Sequence, residues 1–187
     1  QRYHIGHDED GAPQFEDATQ KCLKTIEEHK IDAMIIIGGD GTMSVAESLL
    51  QAGVNCIGVP KTIDNDIVGT DLTFGFTTAM TTATLSLDRL HTTAASHHRV
   101  MVCELMGRNA GWLALSAGIA SGSDVILIPE VPFDIDKLCE YVNGRQHRGR
   151  GFSIIACAEG ACEVDGDKHV RLRDPLSDQE RCFVNRR

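Results

Sequence analysis

Short apolar runs alternate along this sequence with longer amphipathic segments, and this alternation limits the fold more than any other feature. The runs are too short and too β-branched for buried helices, so they predict five buried strands, at AMIIIGG, NCIGVP, RVMVCEL, DVILIP and FSIIACA. Helical apolar spacing predicts helices at 15–30, about 42–52, about 74–95, after 109 and about 134–147. We therefore expect an α/β fold, a doubly wound and mostly parallel sheet with helices on both faces.

Charge and composition restrict the class of protein. Asp and Glu number 27 against 18 Lys and Arg, and the net charge of -9 argues against binding nucleic acid or an anionic membrane through overall charge. No apolar run approaches the roughly 20 residues of a membrane helix, and the N-terminus has none of the build of a signal peptide. The seven cysteines form no C-x-x-C pair, so reduced thiols and a cytoplasmic location are expected.

Ligands of doubly wound sheets bind beyond the carboxyl ends of the strands, which makes the residues after each predicted strand the most informative. Those residues are GGDGT, PKTIDND, LMGRNAG, IPE and AEG. In GGDGT, a strand leads into a helix N-terminus, where free amides favour a phosphate and glycines let it approach the backbone. Asp40 is then placed to hold Mg²⁺, which binds few carboxylates and keeps several waters. The alternative is a tight turn with Asp40 as the helix N-cap.

Two carboxylates, Asp64 and Asp66, follow the second strand, and the nearby Lys61 is their one obvious local partner. One of them could take a proton from a hydroxyl nucleophile. The alternative is an Asx-type turn.

Arg108 follows a further strand and is suited to contact a phosphate or to stabilise charge on a phosphoryl group in transfer. A phosphate loop, a candidate metal carboxylate, a candidate base and a charge-stabilising Arg are the components of phosphoryl transfer. The residues themselves therefore predict a magnesium-dependent kinase and leave its acceptor open.

At these residues the sequence resembles the phosphofructokinase family, whose members phosphorylate the 1-hydroxyl of fructose 6-phosphate. GGDGT is shared with NAD kinases and diacylglycerol-type lipid kinases, whereas PKTIDND at 60–66 and MGRNAGW at 106–112 are specific to phosphofructokinases in this order. The resemblance is continuous over about 32–160, and residues 1–187 are expected to form one catalytic region of this type, incomplete relative to the family.

The resemblance implies a role for each matching residue. Asp64 would be the base with Asp66 beside it, Asp40 would hold Mg²⁺, and Thr62 and Arg108 would stabilise the transferring group. The sugar phosphate would be bound by residues of the acceptor side, namely Thr62, Asp64, Met106, Gly107, Arg108 and Glu159. The phosphoryl donor would lie against Gly39, Asp40, Gly41, Thr42 and Lys61.

The resemblance also bears on the donor and on assembly. Gly41 looks like the ATP-using form, because an Asp there would obstruct the nucleotide, while Lys61 also resembles pyrophosphate users; ATP is the favoured donor and pyrophosphate the alternative. HTTAASHHRV resembles the family's segment leading to an Arg that reaches the sugar phosphate of a neighbouring subunit. Arg99 is therefore expected to act across a subunit boundary in a homo-oligomer, a dimer or a tetramer.

Family members are longer than this chain, which lacks their N-terminal glycine-rich strand and their C-terminal half. A fragment of a longer protein and a shortened homologue are the two expectations that follow. Another GGDGT-type kinase, such as one acting on NAD, and a non-catalytic subunit that binds sugar phosphate remain alternative functions. The spacing of His91, His97 and His98 fits no standard zinc pattern, so these are expected to be polar helix-end residues.

Overall fold

The chain has an α/β fold with parallel sheets and intervening helices, as the sequence predicts. The computed structural model describes residues 2–7, 13–164, 172–173 and 180–181, with side chains from 17 to 164. It divides into two compact units. The first contains Gln1–Thr62 and Ile67–Thr70, and the second contains Ile63–Asp66 and Asp71–Arg187.

The first unit contains two pairs of strands and two helices. Its elements are β1 Arg2–His7, β2 Pro13–Asp17, α1 Thr19–Glu28, β3 Met34–Gly38, α2 Asp40–Gln51 and β4 Cys56–Thr62. β1 and β2 pair antiparallel, whereas β3 and β4 pair parallel in a register that sets Met34 opposite Cys56 and Gly38 opposite Pro60. The parallel register brings the ends of β3 and β4 to one edge of the pair.

The helix predicted at 15–30 begins four residues later than expected. Phe15 lies in β2 opposite His4, because strand pairing with β1 overrides the helical apolar spacing. Asp17 then accepts hydrogen bonds from the Thr19 hydroxyl at 2.6 Å and the Thr19 amide at 3.0 Å. Mainly through the hydroxyl, these bonds lower the pKa of Asp17 to about 2.

β3 is covered on one face and exposed on the other, and β4 is exposed at Ile57, which corrects the expectation that these two strands are fully buried. Met34 and Ile36 line a cavity of about 530 Å³ together with residues of α1 and α2. Side chains alternate along a strand, so the next residues point to the opposite face. There Ile35, Ile37 and Ile57 are 72%, 59% and 67% exposed.

The second unit is built around a three-stranded parallel sheet. Its elements are β5 Phe74–Gly75, α3 Phe76–His97, β6 Val100–Leu105, α4 Trp112–Ala120, β7 Val125–Leu127, α5 Ile135–His147, β8 Ser153–Ala158, β9 Leu172–Arg173 and β10 Glu180–Arg181. The order β6-β8-β7 places the last long strand between the other two. α3 starts two residues after its predicted position because Gly75 takes a left-handed conformation with φ 109 as the N-cap.

The core of the second unit lies between β8 and the helices α3 and α4. Its buried side chains are Phe76, Ala83, Leu87, Ala94, Leu113, Ala117, Ile154 and Ala156. β8 is also covered on its other face, since Ser153 and Ile155 are buried and the Arg145 side chain of α5 hydrogen-bonds the Ser153 hydroxyl at 3.1 Å. Helices therefore lie on both faces of the sheet at β8, as predicted. β6 is exposed on one face, at Val100 and Val102, so its predicted burial is wrong.

A largely buried ion pair joins α5 to the sheet. Arg145 pairs with Asp124, the residue before β7, and each side chain is 16% exposed. Asp124 also accepts a hydrogen bond from the Ile154 amide at 2.9 Å and donates its own amide to the Ile154 carbonyl at 2.8 Å. The carboxylate therefore fixes α5, β7 and β8 together at the start of the sheet.

We expect Arg145→Met to lower the free energy of unfolding by about 3 kcal/mol, because it leaves the Asp124 carboxylate buried without its partner. Thermal unfolding of the purified protein measures the loss. Arg148→Met is the matched control, since Arg148 is an exposed arginine just after the same helix. Equal melting temperatures for the two variants would contradict this role of the ion pair.

Candidate active site

The glycine-rich segment GGDGT joins β3 to α2 in the first unit. Gly39 is the N-cap in an extended conformation, with φ -88 and ψ -165, and α2 begins at Asp40. The Gly39 carbonyl accepts the amides of Thr42 at 3.0 Å and Met43 at 2.9 Å. The amides of Asp40 and Gly41 precede these bonds, so they are the first-turn donors that a helix of 12 residues offers to an anion.

The three glycines of this segment have different surroundings. A Cβ on Gly38 would overlap the Thr42 side chain, which lies directly over it. A Cβ on Gly39 would lie 3.4 Å from the Thr62 Cβ. A Cβ on Gly41 would meet nothing within 4 Å, so the first turn of α2 has open space on the side of Gly41.

Asp40 is the first residue of α2 and is exposed. Gly39 occupies the N-cap position and no side chain caps this helix, so the alternative in which Asp40 serves as the N-cap is wrong. One exposed carboxylate beside first-turn amides suits Mg²⁺, because this ion binds through one or two carboxylates together with waters and phosphate oxygens. Across the described residues, no group of three or more His, Cys, Asp or Glu is arranged to hold a metal ion.

Lys61 and Thr62 end β4 beside the glycine-rich segment. The parallel register sets Pro60 opposite Gly38, and the Lys61 carbonyl lies 3.9 Å from the position of a Cβ on Gly39. Lys61 is exposed and Thr62 is half-buried. The structure therefore brings together the donor-side residues that the sequence singled out.

The turn that carries the two candidate carboxylates is held by Asn65, a residue that the sequence reasoning did not assign. Asn65 is left-handed with φ 53, and its side-chain oxygen accepts the Thr73 amide at 2.9 Å and the Thr73 hydroxyl at 3.3 Å. Thr73 is 3% exposed, so this anchor is buried. Asp64 is half-buried and Asp66 is exposed on either side of Asn65. Asn adopts positive φ more readily than most residues, and this was the sequence signal that could have indicated a turn at Asn65.

Four of the acceptor-side residues, Met106, Gly107, Arg108 and Glu159, lie at the carboxyl ends of β6 and β8 in the second unit. The Glu159 amide donates to the Leu105 carbonyl at 2.8 Å, and the Gly160 amide donates to the Gly107 carbonyl at 3.1 Å. The Gly107 amide points to the Glu159 carboxylate across 3.5 Å. Gly107 and Glu159, predicted separately from 52 positions apart, are therefore in contact.

Two glycines let the segment after β6 approach its neighbours closely. Gly107 has φ 144, and a Cβ there would lie 2.8 Å from the Ala110 carbonyl oxygen. A Cβ on Gly160 would overlap the Arg108 carbonyl. Met106 and Arg108 are exposed on either side of the buried Gly107. Gly160 was not among the predicted site residues, because its requirement comes from a backbone contact that only the fold creates.

Arg99 does not join the other candidate residues of its unit. It precedes β6, and its carbonyl accepts the Ser153 amide at 3.2 Å at the amino edge of the sheet. The strand between Arg99 and Met106 spans roughly 20 Å at about 3.3 Å per residue. Arg99 therefore lies at the opposite edge from Gly107 and Glu159.

In the part of the chain that the structure describes, no helix has both the length and the apolar character to cross a membrane. Cys22, Cys56, Cys103, Cys139, Cys157 and Cys162, the cysteines within the described residues, form no disulfide, and Cys182 lies outside those residues. Burial, followed by the charge of Glu104, raises the pKa of the Cys103 thiol.

Residues 6–182 match the family described as phosphofructokinase. The match extends on both sides of the segment 32–160 that the motifs pick out. The chain is 53% identical over 160 residues to a protein of Clostridium perfringens named ATP-dependent 6-phosphofructokinase 2, covering 86% of this chain and 44% of that protein. It is 59% identical over 141 residues to an ATP-dependent 6-phosphofructokinase of Chloroflexus aurantiacus, covering 75% of this chain and 40% of that protein.

Solved structures of the same kind share the fold. The phosphofructokinase of Pichia pastoris in the T-state matches with a TM-score of 0.69 at 31% identity, over 86% of this chain and 21% of that one. The pyrophosphate-dependent phosphofructokinase of Nitrosospira multiformis matches with a TM-score of 0.68 at 28% identity, over 79% and 41%. This chain spans less than half the length of each of these proteins.

The contrast between Gly38 and Gly41 gives a test of the glycine-rich segment. We expect Gly38→Ala to lower the free energy of unfolding by roughly 1–3 kcal/mol, because the new methyl group overlaps Thr42. Gly41→Ala adds the same group to open space within a helix, so stability should stay constant or rise by up to about 1 kcal/mol. Thermal unfolding of the two variants decides, and equal destabilisation by both would refute the described packing.

Proposed function

Because the chain belongs to the phosphofructokinase family, we propose that it transfers a phosphoryl group from ATP, with Mg²⁺, to the 1-hydroxyl of fructose 6-phosphate in the cytoplasm. The product would be fructose 1,6-bisphosphate, an intermediate of glycolysis. The observation that carries the proposal is the position of the motifs: GGDGT, PKTIDND and MGRNAGW each occur at the carboxyl end of a parallel strand, β3, β4 and β6.

Open space at Gly41 supports ATP as the donor. A Cβ at position 41, in the first turn of α2, would extend into space that holds no other atom within 4 Å. An Asp at this position would place a carboxylate there, repelling the inner phosphates of a nucleotide while leaving room for the smaller pyrophosphate. The relatives in Clostridium and Chloroflexus are named ATP-dependent. Lys61 and the pyrophosphate-dependent relative of known structure make pyrophosphate the alternative donor.

The phosphoryl donor would be bound by Gly39, Gly41, Thr42 and Lys61. The amides at the start of α2 donate to phosphate oxygens, and the Lys61 ammonium offsets their charge. Asp40 would hold Mg²⁺, which when bound offsets the charge that develops on the phosphates. Thr62 ends β4 beside Gly39, so its hydroxyl is suited to stabilise the phosphoryl group in transfer.

The sugar phosphate would be bound by Met106, Gly107, Arg108 and Glu159. Arg108 contacts phosphate oxygens, and Glu159 accepts a hydrogen bond from a sugar hydroxyl. Asp64 takes the proton of the acceptor hydroxyl, and Asp66 lies beside it on the turn that Asn65 anchors. The hydroxyl oxygen bonds to the γ-phosphorus while the bond from that phosphorus to the β–γ bridging oxygen breaks, and ADP leaves.

Arg99 would serve the site of a second subunit. Its place at the amino edge of β6 separates it from the acceptor-side residues of its own unit by roughly 20 Å. A site completed by a neighbouring copy requires a homo-oligomer, either a dimer or a tetramer.

The direct test measures fructose 1,6-bisphosphate formation by the product of the complete gene, with ATP and with pyrophosphate in parallel and with Mg²⁺ in both. Turnover with ATP alone is the expected result. Turnover with pyrophosphate alone would overturn the donor assignment and keep the acceptor. Transfer to NAD and not to the sugar phosphate would favour another GGDGT-type kinase, and silence with every acceptor would favour a non-catalytic sugar-phosphate-binding subunit.

We expect Asp64→Ser to lower kcat by about 10²- to 10⁴-fold with a smaller change in KM, because the proton acceptor is lost while the sugar-phosphate contacts remain. Steady-state kinetics with varied fructose 6-phosphate measures both constants. Asp71→Ser is the matched control, an exposed aspartate seven residues further along the chain. A near-normal kcat for Asp64→Ser would mean that another group is the base.

We expect Arg99→Ala to raise KM for fructose 6-phosphate by roughly 10-fold or more, since a charged contact to the phosphate is removed. Mixing this variant with Asp64→Ser subunits should restore part of the activity, because hybrid oligomers contain sites with both residues intact. Assays of the mixture after subunit exchange provide the measurement. Mixtures no more active than the sum of their components would exclude a site shared between subunits.

A further inference from the structure

The segment between β6 and α4, residues 106–111, carries Gly107 and Arg108 and is called the MGR loop here. Its first part is held by the segment just after β8, where the Gly160 amide donates to the Gly107 carbonyl at 3.1 Å. Its last residue is held from the turn that follows β7: the Gly111 amide donates to the Glu130 carboxylate at 2.7 Å. We propose that Glu130 is a positioning residue that orders the MGR loop for sugar-phosphate binding through this hydrogen bond. The inference rests on the proposed function.

The position of Glu130 is fixed by a tight turn. Glu130 follows β7, and the Val131 amide donates to the Ile128 carbonyl at 3.3 Å around it. Ile128 and Val131 also form an isolated bridge. This turn constrains the backbone at Glu130 and so holds its carboxylate beside the MGR loop.

The fit between Glu130 and Gly111 involves both carboxylate oxygens. One oxygen accepts the Gly111 amide, and the other lies 2.7 Å from the point that a Cβ on Gly111 would occupy. That Cβ would also overlap Ile128. Gly111 is buried. A side chain at this position would keep the Glu130 carboxylate from reaching the amide, so the hydrogen bond requires glycine at 111.

Glu130 supplies a carboxylate to the N-terminus of α4, which has no acidic residue of its own there. Gly111 is the N-cap of α4, no side chain of the helix caps it, and its first turn contains no acidic residue. A carboxylate is favourable at a helix N-terminus, both as a hydrogen-bond acceptor and against the helix dipole. Leu113, Ala114 and Ala117 fix α4 in the core, so loss of the carboxylate should release the loop before the helix.

Loss of Glu130 should affect the binding of the sugar phosphate more than the chemical step. Without Glu130, the MGR loop spends less of its time in the binding-competent conformation, and the apparent affinity for the sugar phosphate falls by that fraction. Bound sugar phosphate would restore the ordered loop through Gly107 and Arg108. The loss should therefore appear in KM for fructose 6-phosphate and much less in kcat.

The experiment compares Glu130→Ala, Glu130→Gln and Glu130→Asp in the complete protein. Gln keeps an acceptor oxygen at the same reach and removes the charge, whereas Asp keeps the charge and falls short by one methylene. Glu140→Ala is the control, a carboxylate on α5 that is exposed, as Glu130 is. Two readouts are taken: KM and kcat for fructose 6-phosphate, and amide hydrogen exchange of residues 107–112.

We expect Glu130→Ala and Glu130→Asp to raise KM by roughly 5- to 100-fold and to speed exchange in residues 107–112, with kcat within about threefold of the unsubstituted protein. Glu130→Gln should restore most of both readouts, because it keeps the hydrogen-bond acceptor and loses only the smaller contribution of the charge against the helix dipole. If Ala impairs folding, Asp and Gln still give the comparison. Impairment by Gln equal to that by Ala would mean that the negative charge itself matters, which overturns positioning through the hydrogen bond.

Hydrogen exchange separates this inference from the proposed function. An unsubstituted protein that does not use fructose 6-phosphate refutes the function, and it refutes with it the catalytic part of this inference. Ordering of the loop by Glu130 is then still judged by exchange in residues 107–112. Unchanged exchange in Glu130→Ala overturns the inference, whether or not the protein is active.

Discussion

Parallel pairing of β8 with β6 on one side and β7 on the other is the constraint on which the acceptor side depends. The register sets Leu105 opposite Ala158 and Leu127 opposite Cys157, so all three strands end at one edge. That edge is where Glu159 meets Gly107 and where Glu130 meets Gly111. The register is secured by burial of β8 on both faces and by Asp124, which joins β7 to β8 and pairs with Arg145 of α5.

Close backbone approach is the second constraint, and glycine makes it feasible. Gly38, Gly107, Gly111 and Gly160 each lie where a Cβ would come within about 3 Å of a neighbouring atom or overlap it. Gly41 is different, because nothing lies near its Cβ position. Four of these glycines therefore serve packing, whereas Gly41 keeps space open at the helix start, which is the property that the proposed nucleotide donor requires.

Much of the fold could be predicted because it follows local rules. The five principal strands and the helices α2 to α5 lie within two or three residues of their predicted positions, since apolar spacing and glycine boundaries act over a few residues. The predicted start of α1 was wrong, because Phe15 pairs with His4 in a contact between separate segments that local spacing does not reveal. Burial of β3 was also overestimated: a run of isoleucines predicts a buried strand, but not whether both faces are covered.

The sequence by itself determined the family and the α/β class, and it predicted which residues would bind the phosphoryl donor and the sugar phosphate, because contiguous motifs at strand ends carry this information. Only the tertiary structure decided that Asn65 anchors the carboxylate turn on Thr73, that Gly160 admits the Arg108 backbone, that Arg99 lies at the opposite edge and that Glu130 holds Gly111. Each of these depends on residues brought together by strand register and loop geometry. Local spacing in a single sequence does not encode such distances, whereas packing of the core fixes them.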